Sequence, residues 1–184
     1  MTTPAFYYDV CSPDAYLAAE RVVDVLGSVP EFVPVRIGGP GGFRCAEEET
    51  IFRSDIERRA AAYGLMPVRW PADFPSDTEW AMLVATYAKQ IGRVVAYSLA
   101  AFRQAFAAGR DLGVHESVLI AAAAAEMHPA AVSKGAALKG TRARLEAATE
   151  AARAAGVRDV PAVRVGARVF HGDGELEAAA RALA

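Results

Sequence analysis

The fold is decided by residues 5–17, which read AFYYDVCSPDAYL. Residues 5–11 form an apolar run with aromatic and β-branched side chains, a pattern that predicts a short buried strand. Ser12, Pro13 and Asp14 then supply three successive helix-start signals: an N-cap hydroxyl, a proline suited to the first helical position, and an acid that complements the helix dipole. This stretch therefore predicts a strand that turns directly into a helix.

A second strand is predicted soon after this helix. The helix should end at Gly27, and residues 31–37, EFVPVRI, have the composition of a strand parallel to the first. A strand, a helix and a strand within so few residues form a βαβ unit, whose crossover should be right-handed. The chain thus opens as an α/β unit.

The C-terminal part returns to strands. Residues 161–165 and 168–170 flank the dipeptide 166–167, Gly-Ala, which predicts a tight hairpin. A last helix is expected from Asp173 or Glu175 to the C-terminus.

Between the two strand regions the pattern is helical. No linker separates independent units, so we predict one domain over residues 1–184 with an all-helical insertion at about residues 46–140. A proline-rich loop is expected at residues 66–75. The predicted helices are 50–63, 77–91, 94–108, 116–127 and 129–155.

Composition and charge exclude several classes of protein. The chain has 184 residues, 53% of them hydrophobic and 23% charged, and a net charge of −2, as ordinary globular proteins do. It shows no basic stripe and no apolar run long enough to cross a bilayer, so we expect no nucleic-acid and no membrane partner. The N-terminus lacks a signal-peptide pattern, and the two cysteines, Cys11 and Cys45, form no disulfide framework, so we expect a cytoplasmic location.

Two patches of the sequence resemble a known family. They are residues 6–17, FYYDVCSPDAYL, and residues 157–173, VRDVPAVRVGARVFHGD. Together they resemble the 2-hydroxychromene-2-carboxylate isomerases and kappa-class glutathione transferases, a branch of the DsbA-like thioredoxin superfamily. Residues 55–65, 70–75 and 105–112 are similar to that branch as well, so the likeness spans nearly the whole chain. It implies a thioredoxin-like (DsbA-like) α/β fold with an all-helical insertion.

The turn after the first strand lacks the cysteine pair of the redox relatives. Where these carry Cys-x-x-Cys, residues 12–15 read Ser-Pro-Asp-Ala, and dithiol exchange needs an attacking and a resolving thiol. In the isomerase and kappa-transferase branch, a serine at this position hydrogen-bonds the thiol of bound glutathione. The resemblance therefore implies that Ser12, with Pro13 beside it, orients a cofactor thiolate at the positive end of a helix. The alternative is that Ser12 only caps the helix.

Pro161 resembles the cis-proline that faces the active-site turn in thioredoxin folds. A cis bond would turn the backbone of Val160 toward the site, where its N–H and C=O would hold an extended, peptide-like ligand. The alternative is an ordinary proline at the start of a strand.

Residues 172–175, Gly-Asp-Gly-Glu, occupy the place where relatives show Gly-x-Asp, whose aspartate and helix N-terminus hold the amino-acid end of glutathione. Here the aspartate comes one residue early. Gly172, Asp173 and Glu175 are the candidates for binding the amino end of the cofactor, and a simple N-cap is the alternative for Asp173.

Further departures from the family pattern concern the ligand pocket. Residues 38–45 lack the asparagine-and-proline loop of the relatives and are no phosphate loop, and Asp77 stands where relatives commonly show asparagine. Another low-molecular-weight thiol therefore fits as well as glutathione. Trp70 and Phe74 are expected to line or cover the pocket, with simple packing of the insertion as the alternative.

Cys11 precedes Ser12 at a position where relatives usually have an apolar residue. It is either a small buried hydrophobe or a reactive thiol at the cofactor site, within reach of Cys45. The three histidines are far apart and without further ligands at metal spacing, so no metal site is predicted.

These residues lead to two function hypotheses. The first is a thiol-dependent isomerase or transferase that acts on a small aromatic or electrophilic compound, as the resemblance implies. The second is a relative of the DsbA-like oxidoreductases without Cys-x-x-Cys, either a single-cysteine redox protein using Cys11 or a non-catalytic binding module. Relatives often form homodimers, so a homodimer is the partner that the resemblance adds to the small-molecule substrate.

Overall fold

A computed structural model describes residues 3–38 and 41–183. Its centre is a four-stranded sheet in the order β2-β1-β3-β4. β1 (Ala5–Tyr8) is parallel to β2 (Glu31–Pro34), whereas β3 (Ala162–Val165) is antiparallel to both β1 and β4 (Arg168–His171). The predicted βαβ opening and C-terminal hairpin are therefore two halves of one sheet.

The register of the sheet places the alternating side chains of β1 in two layers. Phe6 lies opposite Phe32 of β2 and Val163 of β3. Phe6 and Tyr8 belong to the larger apolar core, while Ala5 and Tyr7 belong to a smaller core on the other face. β1 is thus covered on both faces, as its continuous apolar sequence predicts.

Helices account for most of the rest of the described chain. A short 3₁₀ helix, Asp173–Glu175, precedes the last α-helix. The α-helices are α1 (Pro13–Ala19), α2 (Val22–Leu26), α3 (Ala46–Ala62), α4 (Glu79–Gln90), α5 (Val94–Phe106), α6 (His115–Ala124), α7 (Pro129–Ala136), α8 (Lys139–Ala154) and α9 (Leu176–Arg181).

The first predicted helix is broken into α1 and α2. The break lies at Arg21, whose guanidinium donates to the backbone carbonyl of Asp173 (3.2 Å) and pairs with Glu177. Local periodicity cannot reveal contacts between Arg21 and residues that lie more than 150 positions away in the chain. The sequence therefore predicts one continuous helix, and this prediction is wrong.

The long helix predicted over 129–155 is also two helices, α7 and α8. At the break, the Thr141 hydroxyl donates to the carbonyl of Gly135 (2.7 Å), and Leu138 has an extended backbone with ψ of 134°. Gly135 also lies against the ring of Tyr87, where a Cβ atom would come within 2.3 Å. The close contact with α4 therefore requires a glycine at position 135, in the last turn of α7.

The larger core joins the sheet to the helical block. It contains side chains of β1 and α1 together with those of α4, α5 and α6, and the Tyr8 hydroxyl is hydrogen-bonded to Ser98 of α5. The smaller core lies under α8 and includes Val33, Val35, Ala152 and Val160. The family branch that the sequence resembles predicts this DsbA-like arrangement.

The sheet has two edge strands, β2 and β4. Glu31 and Val35 donate their backbone N–H groups to Pro4 and Tyr8 on the β1 side. Because backbone direction alternates along a strand, Phe32 and Pro34 turn their backbone toward the outer border of β2.

The expected break at residues 38–42 is only partly within the described residues, because Gly39 and Pro40 lie outside them. Gly38 has a φ of 63° and is packed against the Asp159 carboxylate so closely that a Cβ atom would overlap it. In the described part of the chain, every helix is too short or too polar to span a membrane.

Candidate functional site

The candidate site lies where β1 turns into α1. Ser12 is the N-cap of α1, and its Oγ accepts a hydrogen bond from the backbone N–H of Ala15 (3.1 Å). The hydroxyl also donates to the backbone carbonyl of Val160 over 3.4 Å, which is long for a bond from a hydroxyl. Ser12 and Pro13 are both buried, Ser12 with only 2% of its surface exposed. The sequence interpretation requires a hydroxyl that is open to the site, and the structure differs: the Ser12 hydroxyl is closed off from solvent.

The Val160–Pro161 peptide bond is cis, the isomer that the resemblance implies, and it faces this turn. The backbone N–H and C=O of Val160, which the resemblance assigns to ligand binding, are both hydrogen-bonded within the chain. Its carbonyl accepts from Ser12, and its N–H donates to the Asp159 carboxylate (2.8 Å). An extended ligand would have to replace one of these bonds.

The segment that begins at Gly172 joins the other side of the turn. Gly172, with a φ of 88°, donates its N–H to the carbonyl of Pro161 (2.8 Å). The Asp173 side chain that follows is nearly fully buried, and its Oδ2 accepts from the hydroxyl of Tyr63 (2.9 Å). Asp173 makes no side-chain cap in the described structure, and Glu175 is exposed.

Arg59 of α3 connects these two sides. Its guanidinium pairs with Oδ1 of Asp173, with Asp14 (2.7 Å) and with Asp55 (2.8 Å). Burial raises the pKa of the Asp14 carboxyl, and the Arg59 guanidinium offsets part of that rise. We call Asp14, Asp55, Arg59, Tyr63 and Asp173 the Arg59 cluster.

The sequence interpretation missed Arg59 and Tyr63. Only the Asp55–Arg59 spacing of four residues is visible as a helical ion pair. The partners that matter for the site, Asp14 and Asp173, lie 45 and 114 residues away in the chain.

Beneath the turn lies a buried carboxylate, Asp9. It accepts from the backbone N–H of Cys11 (3.1 Å) and from the hydroxyl of Thr78 (2.8 Å), and Arg36 approaches its other oxygen at 3.3 Å. Burial raises the pKa of the Asp9 carboxyl, and Arg36 offsets part of this rise. Asp9 thus ties the turn to α4 and to the end of β2.

Cys11 points into a small cavity between the turn and the helical block. Thr78, Phe74, Phe106 and Leu112 are among the side chains that line it. Burial raises the pKa of the Cys11 thiol, and the charge of Asp9 raises it further. The thiol is therefore kept protonated, whereas Cys45, at the start of α3, is exposed.

Trp70 and Phe74 meet at the outer side of this cavity. Their ring centroids are 4.9 Å apart, and each ring also lies near Phe106, at 6.0 and 6.2 Å. The Arg53 guanidinium lies over the Trp70 ring at 4.9 Å. Phe74 lines the cavity, whereas Trp70 is not among the lining residues and packs against Phe74 and Phe106.

The histidines have local roles. His171 accepts the backbone N–H of Arg158 at its Nε2 (3.1 Å), and His128 caps α7. Within residues 3–38 and 41–183, histidine, cysteine and carboxylate side chains form no group of three placed to hold a metal ion.

The whole architecture matches a family profile. The DSBA-like thioredoxin domain profile matches residues 5–184, so the chain belongs to the DSBA-like thioredoxin domain family. No protein of curated function matches the sequence.

Three solved structures illustrate the likeness in fold. A 2-hydroxychromene-2-carboxylate isomerase is similar with a TM-score of 0.87 and 18% identity, over 99% of this chain and 94% of that one. A "probable DsbA oxidoreductase" from Streptomyces coelicolor gives 0.79 and 18%, over 100% and 90%. The cytosolic disulfide reductase DsbM from Pseudomonas aeruginosa, in its structure with glutathione, gives 0.63 and 16%, over 99% and 96%. At these identities the likeness concerns the fold.

Proposed function

We propose that this chain is an enzyme that binds a low-molecular-weight thiol, with glutathione as the reference compound, and uses it on a small electrophilic substrate. The reaction would be an isomerisation or a transfer similar to that of 2-hydroxychromene-2-carboxylate isomerase. The observation that carries the proposal is the position of the Ser12 hydroxyl, at the start of α1 and opposite the carbonyl of Val160.

Ser12 has the chemistry to orient a cofactor sulfur. Its hydroxyl has one proton, which now makes the long bond to Val160, while the bond accepted from Ala15 is independent of that proton. A thiolate that displaces Val160 would receive this proton in a charge-assisted hydrogen bond, which is about twice as strong as a neutral one. Such a donor favours the ionised form of the thiol.

The substrate would lie beside the sulfur in the cavity of Phe74 and Phe106. Its lining is largely apolar and aromatic, which suits a flat or conjugated carbon compound. Its volume of about 10 Å³ is only that of one water molecule, so the surrounding side chains would have to move apart to admit the substrate. In the reaction, the cofactor thiolate adds to an electrophilic carbon of the substrate. Elimination of the same thiolate from the rearranged adduct completes an isomerisation. A transfer is completed when the adduct keeps the new C–S bond and either expels a leaving group, such as chloride from chlorodinitrobenzene, or takes up a proton.

The burial of Cys11 beside Asp9 argues against a redox role for its thiol. A thiol reacts as its thiolate, and burial and Asp9 keep the pKa of Cys11 high. The binding module that holds a peptide along Val160 has less support, because a peptide that uses both backbone groups of Val160 must replace two bonds, whereas the thiol displaces only the bond from Ser12.

Replacement of Ser12 tests the proposal. We expect Ser12→Ala to weaken glutathione binding in calorimetry by about tenfold to hundredfold, the worth of one hydrogen bond to a charged group. Turnover of chlorodinitrobenzene with glutathione should fall in parallel. Ser12→Thr, which keeps both the hydroxyl and the cap, should retain binding.

Cys11→Ala is the matched control for thiol binding, because it changes the neighbouring residue, which lines the substrate cavity, and leaves the Ser12 hydroxyl in place. Loss of turnover in Cys11→Ala together with full activity in Ser12→Ala would show that the activity requires Cys11 and not Ser12. Absence of binding and turnover with any thiol would end the proposal.

The remaining features of the proposal concern location and assembly. A cytoplasmic location suits a chain whose Cys11 and Cys45 are both free, and one structural neighbour is described as cytosolic. On the basis of the family likeness, we propose that the chain forms a homodimer. On the same basis, we propose that its substrates are small molecules.

A further inference from the structure

We propose that a second cavity, at the outer edge of β2, binds a small apolar carboxylate, that is, a compound with a compact aromatic or aliphatic body and one anionic group. The cavity lies between β2, α4 and α8 and has a volume of about 230 Å³. It shares no lining residue with the cavity beside Cys11. The inference therefore goes beyond the proposed thiol chemistry and does not depend on it.

The cavity lies where two helices that cover opposite faces of the sheet meet at its edge. α4 packs in the larger core and α8 covers the smaller one, and both helices contact β2 and each other. Because β2 is an edge strand, no other strand of the described chain fills the space at its outer border. Apolar surface is therefore left uncovered there.

The floor of the cavity is apolar. It is formed by Val33 and Pro34 of β2, which are both buried, and by Ala148 of α8. Thr86 of α4 also lines the cavity, but its hydroxyl donates to the carbonyl of Met82 (2.9 Å) within the same helix. The apolar body of a ligand is favoured on such a surface, because its binding removes apolar area from water on both sides.

The polar side chains around this floor are basic or neutral. They are Lys89, Gln90 and Arg144, and the lining residues of the described chain include no aspartate or glutamate. Lys89 is paired with Glu31 (2.7 Å), so its charge is balanced. Gln90 donates two hydrogen bonds that are both long, at 3.4 Å, so its amide is a donor that a ligand can recruit.

Arg144 supplies the charge that selects the ligand. Its guanidinium donates to the carbonyl of Gly140 (3.1 Å) and makes no ion pair within residues 3–38 and 41–183, whereas Arg142 and Arg153 of the same helix each pair with a glutamate. The positions three and four residues from Arg144 on α8 hold glycine, threonine and two alanines, so the helix itself offers it no carboxylate. A guanidinium can bind a carboxylate through two parallel hydrogen bonds.

The apolar floor and the charge of Arg144 together exclude other ligand classes. An inorganic anion would leave the apolar floor unused, and an amine would be repelled by the guanidinium. A peptide strand that adds to β2 would find no amide hydrogen at Pro34. An apolar carboxylate uses both the floor and the charge.

A pair of probes with the same ring system and different charge tests this inference. They are 1-naphthoate and the uncharged 1-naphthamide, each titrated into the protein in a calorimeter. We expect the wild-type chain to bind 1-naphthoate about three- to tenfold more tightly, the worth of a charged hydrogen bond at a partly exposed site. Arg144→Met should remove this preference and leave the affinity for 1-naphthamide unchanged. Because Arg144 is exposed, its replacement changes the charge without disturbing the core.

Arg153→Met is the matched control. It removes the same charge from the same helix at a residue that lines a different cavity, so the preference for 1-naphthoate should remain that of the wild type. Ala148→Leu shows where the probes bind. The larger side chain occupies the floor of the cavity, so both probes should bind at least about tenfold more weakly.

Three results would overturn the inference. They are equal affinity or no affinity of the wild type for the two probes, the same behaviour of Arg144→Met and Arg153→Met, and wild-type binding of the probes by Ala148→Leu. Glutathione binding by the same wild-type protein tests the proposed function separately. No residue that lines the cavity at β2 belongs to the site at Ser12, so either proposal can fail alone.

Discussion

At the scale of single residues, Asp9 is a buried carboxyl group whose ionisation should affect stability. Its raised pKa means that the folded chain holds this proton more tightly than the unfolded chain does. The resulting stabilisation is fully present below the unfolded pKa of about 3.9 and is lost as the pH rises through the folded pKa. Ionisation of the Asp9 carboxyl at higher pH therefore lowers the free energy of unfolding.

We therefore expect Asp9→Asn to gain stability relative to the wild type as the pH rises from acid to neutral. Urea unfolding across that range measures the difference in the free energy of unfolding. Glu48→Gln serves as the control with the opposite sign, since hydrogen bonds from Arg44 lower the pKa of Glu48. A difference for Asp9→Asn that stays constant with pH would show that burial of the charge is not the main effect.

The residue scale also shows what sequence reasoning can reach. The cap role of Ser12 is predictable, because its signals lie within a few neighbouring residues. The bond from its hydroxyl to the carbonyl of Val160 is not predictable, because Val160 lies 148 residues away in the chain. The Arg59 cluster escapes prediction for the same reason.

At the scale of elements, the strands and most of the helices follow from local patterns, and the two helix breaks do not. Just before the break between α7 and α8, Gly135 packs closely against the Tyr87 ring. We expect Gly135→Ala to lower the free energy of unfolding by about 1–3 kcal/mol, the usual cost of overpacking.

Gly140→Ala, at the start of α8, is the matched control for this prediction. A Cβ atom there meets only the flexible end of Arg144, at 3.1 Å. Its stability should be unchanged or higher by up to about 1 kcal/mol. Equal thermal or urea midpoints for the two variants would show that the Tyr87 ring leaves room for a Cβ atom at position 135.

At the scale of the whole molecule, the predicted single domain leads to a test of cooperativity. The larger core contains side chains of the sheet and of the helical block. We expect the tryptophan fluorescence of Trp70 and Trp80, both outside the sheet, and the far-ultraviolet circular dichroism to change at the same urea concentration. An earlier fluorescence transition would mean that the helical block unfolds by itself.

The proline in β2 has a consequence for how copies of the chain can associate. A new strand that joins a sheet needs a regular row of amide donors, and the outer border of β2 is interrupted at Pro34, which has no amide hydrogen. The opposite border, β4, includes Arg168, whose guanidinium lies over the Phe170 ring. A second copy of the chain therefore cannot add a regular strand next to β2. Any strand pairing between copies must take place at β4, the edge strand that contains Arg168.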